Sequence, residues 1–334
     1  MKKLINNPKT VVEEMMEGMA AAYPQYVKKL VGHNVLVRAD APVKGKVALL
    51  SGGGSGHEPA HGGYVGKGLL DGAVAGTVFT SPTPDVIYDG IKAVNGGSGV
   101  LLVVKNYTGD VMNFDMAKEM AEMDGIKVDS VIVNDDAAVE DSTFTTGRRG
   151  IAGTIFVHKI AGAAADRMMP LPELKRIAEK VIANMRSMGV ALTPCTVPEA
   201  GKPSFTLAGD EIEIGIGIHG EPGIRREKIK TADDVADELL LKILDDLPYS
   251  AGDDVAVMIN GMGGTPQMEL FIVSRHVASV LKNKGIKVYK TVVGEYMTSL
   301  EMQGASITLL KLDNELKELL DAPGDSIAFK SFGR

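Results

Sequence analysis

The pattern of apolar and polar positions along the chain switches repeatedly between two periods. Short apolar runs at 35–38, 46–50, 73–79, 99–104 and 128–133 predict strands, since each is too short for a buried helix and is bounded by turn residues. Helical spacing lies between them. Val12, Met15, Met16, Met19 and Tyr23 share one face behind a capping box at Thr10-Val-Val-Glu13, and this methionine stripe predicts core. Further helices are expected at 85–94 and from the Lys105–Asp110 loop to about Asp124. Such alternation predicts βαβ units around a mostly parallel sheet, in which ligands sit at the carboxyl ends of strands.

Beyond this region a Gly/Ala-rich helix is expected over 151–168 and an amphipathic one over 171–188, with Leu174, Ile177, Val181, Ile182 and Met185 inward. Pro194, Pro198, Gly201 and Pro203 mark a loop-rich passage after which a new unit is under way. The string Glu211-Ile-Glu-Ile-Gly-Ile-Gly-Ile-His219 has a period of two. It predicts one strand with its isoleucines on one face and His219 at the end of the other, Gly215 and Gly217 clearing space beside it. A helix at 232–247, strands at 254–259, 286–293 and 306–312, and a short helix at 316–320 complete the pattern. The fold class expected is α/β: two α/β domains, each a largely parallel or mixed sheet flanked by helices. The first spans 1–183 and the second 184–334, with room for the C-terminal tail to return to the first.

The stretch Ser51-Gly-Gly-Gly-Ser-Gly-His-Glu-Pro-Ala-His-Gly-Gly63 stands out against this background. It reads as a glycine-rich loop after a strand, where backbone N–H groups can approach a ligand. A dinucleotide fingerprint starting at Gly52 would need glycine where His57 stands, and a phosphate loop ending at Lys67 would need glycine where His61 stands. His57-Glu-Pro-Ala-His61 matches the zinc-hydrolase string H-E-x-x-H, but Pro59 argues against the regular helix that such a site requires. No metal site is expected.

Composition narrows the function. A net charge of −7 argues against a large nucleic-acid or anionic-membrane surface. The single cysteine, Cys195, excludes a disulfide within the chain and fits a reducing, cytoplasmic compartment. No apolar run approaches the length of a membrane span, and the N-terminus lacks the apolar core of a signal peptide. Of the histidines, His57, His61 and His219 lie at strand ends among glycines, whereas His33, His158 and His276 have no polar cluster around them in sequence and are assigned to structure. Asp110 is either a helix N-cap or a general base, and Lys105 could hold an oxyanion or act on Asp110. The pair Arg148 and Arg149 could bind a phosphate or lie on a solvated or partner-facing surface. A neutral His219 could add to a carbonyl carbon.

With those residues assembled, the chain resembles the dihydroxyacetone kinase family, in its dihydroxyacetone-binding part. The resemblance rests on Ser51-Gly-Gly-Gly-Ser-Gly-His-Glu-Pro59, Phe79-Thr-Ser-Pro-Thr-Pro84, Lys105-Asn-Tyr-Thr-Gly-Asp110, Asn134-Asp-Asp136, Gly147-Arg-Arg-Gly150, Gly217-Ile-His-Gly-Glu-Pro-Gly223 and Asn260-Gly-Met-Gly-Gly264, in order along the chain. It implies that His219 bonds covalently to the carbonyl carbon of dihydroxyacetone as a hemiaminal. Asp110 is then the general base and His57 an acid/base that hydrogen-bonds the substrate. Gly54, Ser55, Gly56, Ser81 and Lys105 line the pocket. No cofactor is expected on this chain; the resemblance places ADP or ATP with Mg²⁺ on a nucleotide-binding partner subunit, itself phosphorylated through a phosphotransferase system. It also implies a homodimer. Some members of the family instead sense dihydroxyacetone as transcriptional coactivators, and that alternative stays open.

Overall fold

The structure, a computed structural model, describes residues 2–139 and 147–332. Its compact units are not consecutive halves of the chain. One comprises Lys2–Val133, Thr154–Val181 and Leu316–Arg334; the other comprises Asn134–Gly153 and Ile182–Glu315.

The first unit is built on a sheet in the order Val27–Lys29, Val35–Arg38, Gly72–Val78, Ala48–Ser55, Val100–Lys105, Val128–Val133. The last four strands in this order run parallel, and the two outer pairings at the other edge are antiparallel. Period two along the strands makes both faces apolar. Leu50, Leu102 and Val104 pack with Ile87, Ile91 and Phe114 from the helices Pro84–Val94 and Thr108–Met123. Leu49, Leu101 and Val103 alternate with them on the opposite face and are fully buried. There the helix Thr154–Asp166 packs across Ala48–Ser55 and Val100–Lys105, and it is buried at every position up to Ala165. A second, small sheet pairs Gly324–Ser326 with Gly66–Lys67 and Lys330–Ser331, which ties the C-terminal segment into this unit.

The second unit has the strand order Arg225–Lys228, Glu211–Ile214, Met185–Ala191, Gly304–Leu312, Asp254–Gly261, Lys287–Gly294. Among the described residues its sheet is antiparallel except where Asp254–Gly261 meets Lys287–Gly294. Val235, Leu239 and Ile243 of the helix Ala232–Asp246, with Leu270, Val277 and Leu281 of Gln267–Asn283, close its core.

Four expectations change. The glycine stretch is not a loop from its start: strand Ala48–Ser55 runs through Gly52, Gly53 and Gly54 with partners on both sides. The helix expected to reach residue 188 ends at Ala183, and Met185–Ala191 is a strand between two others. Pairing with Gly304–Leu312 overrides the helical spacing there. The period-two strand stops at Ile214, because Gly215 takes a left-handed φ of +79°. Finally, Thr10 does not close a capping box: its hydroxyl bonds Glu14 Oε1 at 2.6 Å and no side chain caps the helix Val11–Ala22.

One helix position tests how tightly this arrangement is packed. A Cβ on Gly162 would fall on the backbone of Leu69. Gly162→Val is therefore expected to cost about 3 kcal/mol or more of unfolding free energy through overpacking, measurable by urea denaturation.

Candidate active site

Each unit carries one polar cluster built at the ends of its strands. In the first, the strand Ala48–Ser55 brings Gly53 alongside the end of Val100–Lys105. Gly53 has a φ of +150°, and a Cβ there would collide with Lys105 Nζ and come within 3.2 Å of Asp110 Oδ2. Glycine is thus required by both the backbone conformation and the close approach. Asp110 stands in the first turn of Thr108–Met123, where the helix dipole favours negative charge, but the N-cap position belongs to Tyr107. Its carboxylate serves other partners. Oδ1 accepts from Ser81 Oγ at 2.5 Å and Oδ2 pairs with Lys105 Nζ at 3.3 Å.

The turn after Gly72–Val78 completes this cluster. Ser81 comes from it, and so does Phe79, whose ring stacks on His57 at 5.2 Å and 20°. Ser55 Oγ donates to the Gly76 carbonyl at 2.8 Å, and the Gly56 N–H donates to Glu58 Oε1 at 3.1 Å. Burial pushes the Glu58 carboxyl up. The glycine stretch, the 80–84 turn and the Lys105–Asp110 loop therefore do meet on one rim of the sheet. Below the rim, Met15, Met16 and Met19 face a cavity of about 20 Å³ together with Gly53, Gly54, Ser55 and His61.

His61 lies deeper, and the segment from His57 to it is a series of turns with no α-helix. Its Nε2 is 3.3 Å from Lys105 Nζ, and its Nδ1 is 3.0 Å from His158 Nε2 and 3.4 Å from Ser51 Oγ. His158 is thus not isolated from polar groups, as its sequence neighbours suggested. Helix Thr154–Asp166 carries it, fully buried, into this cluster. The available signal was a helix apolar on all sides that nevertheless holds a histidine.

His219 belongs to the second unit and follows the broken strand. Its side chain is 18% exposed, and Nδ1 lies 2.5 Å from Glu221 Oε1. The backbone N–H of His219 also donates to Glu221 Oε2, at 2.9 Å. Gly217 makes room for this carboxylate rather than for the imidazole, since a Cβ there would strike Glu221 and the guanidinium of Arg149. Gly215 likewise leaves no space beside the ring; its missing side chain faces Ala138. Burial works to raise the Glu221 carboxyl, but the His219 ring and Arg149 outweigh it and hold the group down to about 2.

Arg149 is completely buried. It donates to Asp136 Oδ2 at 2.6 Å and to the carbonyls of Gly215 at 2.8 Å and Pro222 at 3.3 Å. Arg148 pairs with Asp246 at 2.5 Å. These contacts replace the phosphate-binding alternative for the pair. Thr145 and Thr146, immediately before this motif, lie outside the described residues. Burial pushes Asp136 up to about 6 even beside Arg149. Asp135 accepts from the N–H groups of Ile151 and Gly153 at 2.8 and 2.9 Å, so the Asn134-Asp-Asp136 motif serves the backbone. Asn260 similarly fixes the loop at Tyr296 and Met297 through three backbone hydrogen bonds.

A family model for the Dak1 domain matches residues 17–328. The chain belongs to the Dak1 family. This Dak1 chain is 57% identical over 330 residues to the PTS-dependent dihydroxyacetone kinase 1, dihydroxyacetone-binding subunit DhaK, of Listeria innocua, covering 98% of this chain and all of that one. It is 45% identical to the PEP-dependent subunit of the same name from Escherichia coli, with 97% of each chain covered. Among solved structures it resembles the dihydroxyacetone kinase operon co-activator Dha-DhaQ, with a TM-score of 0.90 at 37% identity over 96% of this chain and 98% of that one. It also resembles the dihydroxyacetone kinase of C. freundii, with a TM-score of 0.89 at 37% identity, over 99% of this chain and 60% of that one.

The buried histidine pair makes a prediction about stability. Burial, and next the Lys105 charge, lower His158 from 6.5 to about 3. Below about pH 6.5 an unfolded ring gains a proton that the folded one refuses, so stability falls as pH drops from about 6.5 towards about 3. The slope is about 1.4 kcal/mol per pH unit for each such ring. Urea unfolding between about pH 6 and about pH 4 should show a slope smaller by close to one proton in His158→Phe.

Proposed function

We propose that this chain is the dihydroxyacetone-binding subunit of a dihydroxyacetone kinase, that it holds its substrate covalently on His219, and that it presents a hydroxyl for phosphorylation. The observation that carries the reading is end-to-end similarity, at 57% identity, to a protein named for that role. The geometry at His219 supports the chemistry. Glu221 accepts from Nδ1–H, which leaves the lone pair on Nε2. Addition of Nε2 to the carbonyl carbon forms one N–C bond and breaks the C=O π bond. The ring's Nδ1 proton leaves by way of Glu221 and one proton arrives on the former carbonyl oxygen, so Glu221 ends as the carboxylate and the ring is uncharged. The product is a neutral hemiaminal. Glycerol, which has no carbonyl, cannot form it.

The covalent bond fixes the remaining hydroxyl, an orientation effect. Asp110, held by Ser81 and Lys105, accepts the hydroxyl proton, and His57 hydrogen-bonds the substrate as acid/base, with Gly54, Ser55 and Gly56 lining its place. The phosphoryl group comes from the γ-position of ATP with Mg²⁺ on a nucleotide-binding partner, which is left holding ADP and is rephosphorylated through a phosphotransferase system; the nucleotide is assigned to that partner. We place the protein in the cytoplasm as a homodimer. Among the described residues no helix is long and apolar enough to cross a membrane, in keeping with that placement. The alternative, a dihydroxyacetone-sensing coactivator, draws on the likeness to a dihydroxyacetone kinase operon co-activator at a TM-score of 0.90, beside 0.89 for a dihydroxyacetone kinase. It requires the adduct but no general base.

Intact-protein mass spectrometry after addition of dihydroxyacetone should show an adduct of one triose in the wild type and none in His219→Ala. Absence of any adduct in the wild type removes both readings. Asp110→Asn should keep the adduct and lose at least about 100-fold in turnover. Undiminished turnover in that variant overturns the assignment of Asp110 as base, and an adduct without turnover in the wild type selects the sensor.

A further inference from the structure

We propose that His61 and His158 are positioning residues: a hydrogen-bonded histidine relay that sets the direction of the Lys105 ammonium and, through it, the carboxylate of Asp110. The proposal rests on the reading of Asp110 as the general base.

Lys105 is completely buried at the end of Val100–Lys105. An ammonium has three N–H donors. Three acceptors surround this one: Asp110 Oδ2 at 3.3 Å, His61 Nε2 at 3.3 Å and the Gly52 carbonyl at 3.4 Å. With all three donors committed, Lys105 acts on the carboxylate rather than offering an N–H to a ligand. Its role differs from the pocket-lining one that the family resemblance implied.

The charge on Lys105 dictates the tautomers behind it. To accept from an ammonium, His61 Nε2 must be bare, so the ring proton sits on Nδ1. That proton points at His158 Nε2, 3.0 Å away, which must also be bare. Ser51 Oγ, at 3.4 Å, is the weaker alternative acceptor, and its own proton goes to the Val103 carbonyl at 2.7 Å. The reverse chain would turn Nε2–H of His61 towards Lys105 and require an uncharged amine beside Asp110. Burial first, and then the Lys105 charge, keep both rings neutral.

The other groups facing the relay do not replace it. A charge on His57 would act on His61 in the same direction as Lys105 does, and the Tyr107 ring lies 6.0 Å from Lys105 Nζ. The Tyr64 ring tilts against His158 at 6.1 Å. Lys159, next to His158 on the helix, points away and donates to the Leu319 carbonyl at 2.8 Å. Without the acceptor at His158, His61 is free to turn its proton onto Nε2, which repels Lys105 from its place beside Asp110.

The test has a direct and a kinetic reading. Nitrogen-15 NMR of the histidine rings in the intact protein at neutral pH should show His61 protonated on Nδ1 only and bare at Nε2. The opposite tautomer, or a doubly protonated ring, overturns the proposal without any variant. In steady-state kinetics with the nucleotide-bearing partner subunit, His158→Phe should lower kcat by about 10- to 100-fold with KM little changed. His158→Gln, whose amide oxygen can accept from His61 Nδ1–H, should recover most of the rate. A folded His158→Phe with undiminished kcat, or a His158→Gln no better than it, sinks the relay while leaving Asp110 as base. Full turnover in Asp110→Asn is the separate result that removes the base itself.

Discussion

The buried ion pair between Lys105 and Asp110 is the constraint to which much of the first unit answers. Two opposite charges taken out of water are tolerable only when paired and when their remaining hydrogen-bonding capacity is filled. Here Gly53 gives up its side chain so that the pair can lie against the strand, and Ser81 takes the other carboxylate oxygen. The Gly52 carbonyl and His61 take the remaining ammonium protons. The parallel register of Ala48–Ser55 and Val100–Lys105 sets these groups side by side. A small shift of either strand would leave an uncompensated buried charge.

The second unit solves a related problem with a different set of groups. Glu221 is also buried and also charged, and it is stabilised by His219, the His219 N–H and the neighbouring guanidinium. Arg149 in turn is held by Asp136 and by two carbonyls of the chain around His219. The arginine pair, which read in sequence as a possible phosphate site, and two other motifs of the family resemblance are therefore supports. The arginine pair, the aspartate pair and Asn260 fix backbone around the histidine loop and the 295–297 turn, and their partners are inside the protein.

Which parts of this were legible beforehand follows from the range of the forces involved. The strands at 35–38, 73–79, 99–104 and 128–133, and the helices at 85–94 and 232–247, declare themselves by local periodicity, and the structure places each within a few residues. Elements whose identity depends on a distant partner were misread. Met185–Ala191 carries a helical spacing but pairs with Gly304–Leu312, and Gly52–Gly54 look like a loop until neighbouring strands are seen on both sides. His57 and His219 were singled out because they sit among glycines at strand ends, Lys105 and Asp110 because they bound a loop between a strand and a helix, and Ser81 through the family resemblance. His158 and Glu221 were not singled out, the one hidden in an apolar helix and the other read only as part of a turn.

By itself, the sequence determined the α/β class, the placement of most elements and the residue types able to carry the chemistry. Those are encoded in hydrophobic period, in turn residues and in motifs a few residues long. Only the tertiary structure decided what those residues touch. Asp110 and Ser81 are joined across 29 positions, His61 and His158 across 97, and Arg149 and Gly215 across 66. Spacing along a chain carries no information about such meetings. They are set by the register of buried strands and by the need to satisfy every buried charge.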